Sequence, residues 1–295
     1  METKKAIFND APAGEIGAEI IGLDLRTLPA DAPELEEILQ LIYRNKLIVI
    51  RGQSLTPEEY VAFTKKLGRP QIYFQTNYHH PEHPEIFVSS NVLEDNKKIG
   101  VSGTGRYWHT DCAFEEKPLS FTSLLPQIFP KSVRETYYID MSKVYRNLPA
   151  DLKAYVDNTK SVQDARLRYK VQESDIDKSI LEILERFGQE APPVEHPTVI
   201  EHPVTHEKIL YINSGFTTKL VGLTHEENET VLRALFDFVE KEENIHTHSW
   251  EEGDLLIWDN RFLIHKASSV PKGEMSKSYR IGIYDNHPFY VGLEK

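Results

Sequence analysis

Tyr107-Trp108-His109-Thr110-Asp111 sets a histidine and a carboxylate two residues apart. In an extended strand residues i and i+2 face the same side, so His109 and Asp111 address one point while Thr110 faces away. A second stretch, Trp258-Asp259-Asn260-Arg261-Phe262-Leu263-Ile264-His265, brings another histidine in on an apolar approach, and Arg280 follows in Ser278-Tyr279-Arg280-Ile281. Two histidines and one carboxylate can cap one face of an octahedral Fe(II) and leave three positions open. A histidine and an acid at this spacing recur by chance in many chains. The downstream histidine and arginine are what turn the pair into a candidate metal site. Ligands so distant in sequence meet only where separate strands are folded together.

The rest of the chain supplies such strands. Ala18 to Leu25 and Leu47 to Ile50 read as strands, with a helix between them from Ala32 to Tyr43 that places Pro33 in its first turn. Thr56-Pro57-Glu58-Glu59 opens another helix with a capping residue, a first-turn proline and two acids, and Gly68 ends it. Strands follow at 85–90, 119–125 and 135–140, then helical inserts at 141–157 and 176–187. Strands at 198–201 and 208–212 flank a hairpin connection, His202 to Glu207. A helix at 226–239 precedes final strands at 254–258, 262–265 and 278–284. No repeat, low-complexity tract or Gly/Ser linker interrupts this order, so one domain over 1–295 is expected. The expected class is α+β, mainly β: a double-stranded β-helix, or jelly roll, with flanking and inserted helices.

Composition bounds the function. The chain is 40% hydrophobic and 27% charged, as an ordinary globule is. Its net charge of −12 argues against a broad nucleic-acid surface, although a locally basic pocket for a small anion is compatible with it. The single cysteine, Cys112, excludes an internal disulfide and fits a reducing compartment. Met1 to Ile7 contains no signal-peptide core, and no segment approaches a membrane span. A cytoplasmic enzyme acting on a small anionic amino-acid substrate is expected, without nucleic-acid or membrane partners; homo-oligomerisation is left open.

Each candidate has a plainer reading beside it. His265 would serve equally as a core histidine bonded to backbone, although a buried neutral imidazole is also a good ligand. His246 and His248 share the i, i+2 spacing and rival the pair for a zinc ion, but no carboxylate stands at matching spacing. They and the group His79, His80 and His83 are read as structural or surface residues. Arg280 alternates with apolar neighbours, so it points inward and needs an anion. That anion is either one of the chain's own acids or a ligand carboxylate gripped by two parallel hydrogen bonds.

With His109, Asp111, His265 and Arg280 quoted, the chain resembles the taurine dioxygenase-like Fe(II)/2-oxoglutarate oxygenases over nearly its whole length. The resemblance implies Fe(II) on His109, Asp111 and His265, with 2-oxoglutarate and O₂ as cosubstrates and succinate and CO₂ as products. It also implies that Arg280 and Thr136 anchor the far carboxylate of 2-oxoglutarate. Tyr78-His79-His80-Pro81-Glu82-His83-Pro84-Glu85-Ile86-Phe87-Val88-Ser89-Ser90, Pro197 to Ile200 and Ile209 to Ile212 are similar to segments of the isonitrile-forming branch, which serves isonitrile lipopeptide biosynthesis. That branch oxidises an N-carboxymethyl β-amino acid, in two steps, to an isonitrile. Its pattern implies substrate roles for Lys170, Tyr73, Tyr78 and Arg134. Gln172, where the branch has an arginine, and Phe74, where it has a second tyrosine, depart from it. A hydroxylase of the same family acting on taurine-like anions, and a non-catalytic metal-binding jelly-roll sensor, are the alternatives.

Overall fold

The computed structural model describes residues 6–132, 134–172 and 175–293. Met1 to Lys5, part of the segment read for a leader, lie outside the described residues. The strand Leu47–Ile50 shows how the core is divided. Its four residues are all buried. Ile48 and Ile50 point into one apolar cluster and Leu47 and Val49 into another, as period-two alternation requires of a strand covered on both faces. Leu255–Asp259, paired antiparallel with it, repeats the division: Leu255 and Ile257 on one side, Leu256 and Trp258 on the other.

These strands belong to an eight-stranded sheet ordered Ile7–Asn9, Ala18–Ile21, Leu47–Ile50, Leu255–Asp259, Phe121–Ile128, Lys277–Tyr284 and Arg69–Pro70, with Phe87–Ser90 also paired to Lys277–Tyr284. On its outer face lie the helices Pro33–Asn45 and Pro57–Leu67, whose Ile38, Leu41, Ile42, Tyr60 and Phe63 fill the first cluster. Against the inner face lies a three-stranded sheet ordered Ile245–Ser249, Glu135–Asp140 and Leu263–Ala267. The two sheets form the double-stranded β-helix expected from the sequence, with the inserted helices and small sheets outside it.

Local chemistry moved several expected boundaries. The strand from Ala18 stops at Ile21, because Gly22 adopts φ +78. The insert at 141–157 is two helices, Met141–Asn147 and Ala150–Val156. Leu148 stands before Pro149, and a residue before proline is pushed out of the helical region into extended backbone. The next insert begins later than Ile176, at Ile180, where Ser179 and Glu182 close a reciprocal capping box. The hairpin at His202 to Glu207 is present, joining Val199–Glu201 to Lys208–Leu210.

Candidate metal centre and its pocket

His109 and His265 come together through backbone. The amide of His109 donates to the carbonyl of His265 at 3.1 Å and the amide of His265 donates to that of His109 at 2.7 Å. This exchange brings the two rings to 4.2 Å between centroids. The pairing is an isolated bridge, not the expected strand. After it the chain turns, with Cys112 at φ +55, so Asp111 reaches its place from a turn and not from the second position of a pleat. The outcome is the same convergence. His109 Nε2 lies 3.6 Å from Asp111 Oδ1 and His265 Nε2 lies 3.9 Å from Asp111 Oδ2. One ligand atom from each residue falls within 4.8 Å of the others. Among the described residues it is the only group of three such donors.

The donor chemistry fits a divalent cation. His109 Nδ1 donates to the Tyr107 carbonyl at 2.8 Å, which leaves the Nε2 lone pair facing Asp111. His265 is neutral, since burial and the neighbouring His109 push its pKa down to about 3. Its Nδ1 is buried and has no hydrogen-bond partner among the described residues. Burial opposes ionisation of Asp111, but the Arg280 guanidinium and the two imidazoles hold its carboxyl well below the usual range. Thr122 Oγ1 donates to Asp111 Oδ2 at 2.7 Å and accepts from Asn260 Nδ2 at 2.9 Å. Trp258 Nε1 fixes Asn260 in turn at 3.0 Å. A carboxylate aimed by this relay, beside two imidazoles with free nitrogens, is a ready-made ligand set.

Arg280 points inward as its alternation predicts: Tyr279, Ile281 and Ile283 fill the outer cluster. Its Nη1 donates to Asp111 Oδ1, and its guanidinium lies over the Phe87 ring, 4.0 Å from the centroid. Tyr73, Tyr78, Lys170 and Arg280 all line one cavity with His109 and Asp111. Tyr73 meets Tyr78 edge-on at 5.4 Å, and Lys170 Nζ donates to the Ser102 and Gly103 carbonyls at 2.7 Å each. Arg134 lines an adjoining recess that Lys170 also borders. Thr136 is buried near it and accepts from Trp250 Nε1 at 2.9 Å. Phe74 does not line the cavity itself but packs behind two residues that do, Phe114 at 6.4 Å and Phe187 at 5.9 Å between ring centroids. Gln172 does not line it either.

Three contributors escaped the sequence reading. Arg168 borders the cavity, 4.3 Å from the Tyr107 ring centroid, and donates to the carbonyls of Ser214 and Gly215. Thr122 orients Asp111. Tyr138 stacks beside His265 at 6.1 Å. Only Tyr138 had a readable signal, its inward parity with Thr136. The rival histidines have other work. His248 Nε2 faces Asp254 Oδ2 at 3.2 Å and His79 Nε2 bonds the Tyr73 carbonyl at 2.6 Å.

A double-stranded β-helix closing two histidines and an aspartate around one point defines a mononuclear metal-dependent oxygenase class. The sequence model of the taurine catabolism dioxygenase TauD, TfdA family matches residues 9–280, and the chain belongs to that family. The family comprises 2-oxoglutarate-dependent dioxygenases that use Fe(II) and O₂. The chain is 28% identical over 279 residues to pentalenolactone F synthase of Streptomyces arenae, covering 89% of this chain and 90% of that one. It is 30% identical over 257 residues to an alpha-ketoglutarate-dependent sulfate ester dioxygenase of Pseudomonas putida, covering 86% and 82%. The crystal structure of a taurine dioxygenase from Burkholderia xenovorans superposes with a TM-score of 0.77 at 26% identity, covering 98% of this chain and 92% of that chain. No helix among the described residues is long and apolar enough to cross a membrane.

Proposed function

We propose that this chain, acting as one catalytic unit, oxidatively decarboxylates an N-carboxymethyl β-amino acid to an isonitrile. The observation that carries the reading is the set of cations facing the metal pocket of a protein whose net charge is −12. Lys170, Arg168 and Arg280 line the cavity and Arg134 stands in the adjoining recess. A substrate with two carboxylates needs such groups, because a buried charge is tolerated only when paired. Burial and the nearby Arg106 lower the pKa of Lys170, and a bound carboxylate would restore it. Tyr73, Tyr78 and Phe87 give the short carbon chain an apolar wall.

His109, Asp111 and His265 would hold the iron, and bound iron with 2-oxoglutarate supplies the oxidising chemistry. The protein binds, orients and excludes water. Lys170 fixes one substrate carboxylate, so that the glycine-derived carbon faces the metal. The balance is one substrate, two O₂ and two 2-oxoglutarate giving one isonitrile, two succinate, three CO₂ and two water. Anaerobic reconstitution with Fe(II) and 2-oxoglutarate, then addition of N-carboxymethyl-3-aminobutanoate and O₂, should release isonitrile with about two succinate per product by mass spectrometry. Succinate release coupled only to taurine or an alkyl sulfate would replace this reading with the hydroxylase one, which the sulfate ester relative favours.

A further inference from the structure

Lys170, Arg168 and Arg280 border the metal cavity, and they are not equally free. Arg280 has its anion in Asp111, and Lys170 Nζ is held by the carbonyls of Ser102 and Gly103. Arg168 faces no carboxylate among the described residues. Its Nε donates to the Gly215 carbonyl at 3.2 Å and its Nη2 to the Ser214 carbonyl at 3.0 Å. Nη1 donates to neither, so the outer edge of the guanidinium keeps the fork that fits a carboxylate.

The guanidinium is built into this position. It lies over the Tyr107 ring, 4.3 Å from the centroid. Gly215, whose carbonyl it grips, passes so close beneath that a Cβ there would meet the Tyr107 ring at 2.8 Å and the Trp108 carbonyl at 2.7 Å. The turn carrying Ser214 and Gly215 is itself fixed. Asn213 Oδ1 accepts from the Phe216 amide at 2.8 Å, and the Thr217 amide donates to the Asn213 carbonyl at 3.0 Å. The Tyr107 ring stands 4.8 Å from that of His109 and edge-on to Phe216 at 5.8 Å. Its hydroxyl has no hydrogen-bond partner among the described residues, and the charges around it are those of Arg168, Asp111 and Arg280.

We propose that Arg168, with the Tyr107 hydroxyl, receives the carboxylate of the substrate's glycine-derived unit, the one that leaves as CO₂, and that Lys170 holds the other carboxylate. This deepens the N-carboxymethyl reading and rests on it. Position divides the two roles. Tyr107 packs against His109, whereas Lys170 is tied to the Ser102 and Gly103 carbonyls. The glycine-derived carboxylate is bonded directly to the carbon that is oxidised, so its receptor belongs beside the metal ligands. Arg168 gains the anion it lacks and Tyr107 an acceptor. Gln172, where the isonitrile-forming branch has an arginine, carries no charge, and Arg168 supplies the cation instead.

The test reads binding to the Mn(II)- and 2-oxoglutarate-loaded protein by calorimetry, with three ligands. N-carboxymethyl-3-aminobutanoate carries both carboxylates, N-sec-butylglycine only the glycine-derived one, and N-methyl-3-aminobutanoate only the other. Arg168→Gln should weaken the first two roughly tenfold and the third less than about twofold. Lys170→Met should weaken the first and third and spare the second. Tyr107→Phe should follow the Arg168→Gln pattern with a smaller loss. The assignment is overturned if Arg168→Gln leaves N-sec-butylglycine unchanged, or if it weakens the same ligand pair as Lys170→Met. Should Arg168→Gln fail to fold, Tyr107→Phe decides alone, because it deletes only an unpartnered hydroxyl: unchanged selectivity rejects the proposal. If the protein binds hexyl sulfate and not the dicarboxylate, the isonitrile reading falls by itself. The anion subsite then stands only if Arg168→Gln weakens hexyl sulfate by about tenfold, and an unchanged affinity rejects it.

Discussion

At the scale of single residues, the candidate metal centre is a balance of charges that few side chains maintain. Asp111 would serve the metal while answering Arg280 and Thr122. Thr122→Val removes the donor to Asp111 Oδ2 and leaves Asn260 Nδ2 without its acceptor. Metal affinity should fall about 10- to 100-fold, read by anaerobic Fe(II) titration, and an unchanged affinity would deny Thr122 its orienting role. Lys170→Met probes the pocket's other end. It should raise the KM for the N-carboxymethyl substrate roughly tenfold or more while leaving that for 2-oxoglutarate within about twofold, because a charge-assisted bond to one ligand is lost. Steady-state kinetics with each ligand varied in turn separates the two effects.

At the scale of elements, caps and breakers decide where helices lie and therefore what the sheets leave open. Thr56 and Glu59 cap each other's backbone at the start of the helix Pro57–Leu67, which covers the outer face of the large sheet. Thr56→Ala should cost about 1 kcal/mol, measured as a shift in denaturant midpoint at unchanged slope, with 2-oxoglutarate affinity unaltered. Thr56-Pro57-Glu58-Glu59 was legible because every part of that signal is local. The bridge between His109 and His265 was not, because it depends on a turn at Cys112 and on a partner more than a hundred residues away. The i, i+2 spacing brought His109 and Asp111 to one point for a reason other than the pleat.

At the scale of the whole molecule, buried charge is concentrated in a second network, outside the cavity that the candidate metal ligands face. Arg261 is buried with Asp259 and Asp285, and His202 Nε2 meets Asp259 Oδ2 at 3.0 Å. Arg261→Met would strand two buried carboxylates and should destabilise the fold by about 3–5 kcal/mol, seen in equilibrium unfolding. Acid acts on other groups. Burial lowers the pKa of His196 and of His246. A histidine whose folded pKa is depressed contributes stability that is complete above its unfolded value, about 6.5, and is lost as pH falls below it. The denaturant midpoint of the metal-free protein should therefore hold above about pH 7 and decline toward pH 5. A profile flat across that range would contradict buried neutral imidazoles.

Sequence by itself determined the three candidate ligands, the inward arginine, the mainly β class and most element positions. These rest on spacing, alternation and caps, which are properties of neighbouring residues. Tertiary structure alone decided which cation answers which anion. Alternation marks Arg280 as an inward arginine and the resemblance places Arg134 near the site, yet strand register gives Asp111 to one and leaves the other beside a serine, a tryptophan ring and an unsatisfied phenol. Pairing is a matter of distance and burial across strands, and no one-dimensional pattern carries either.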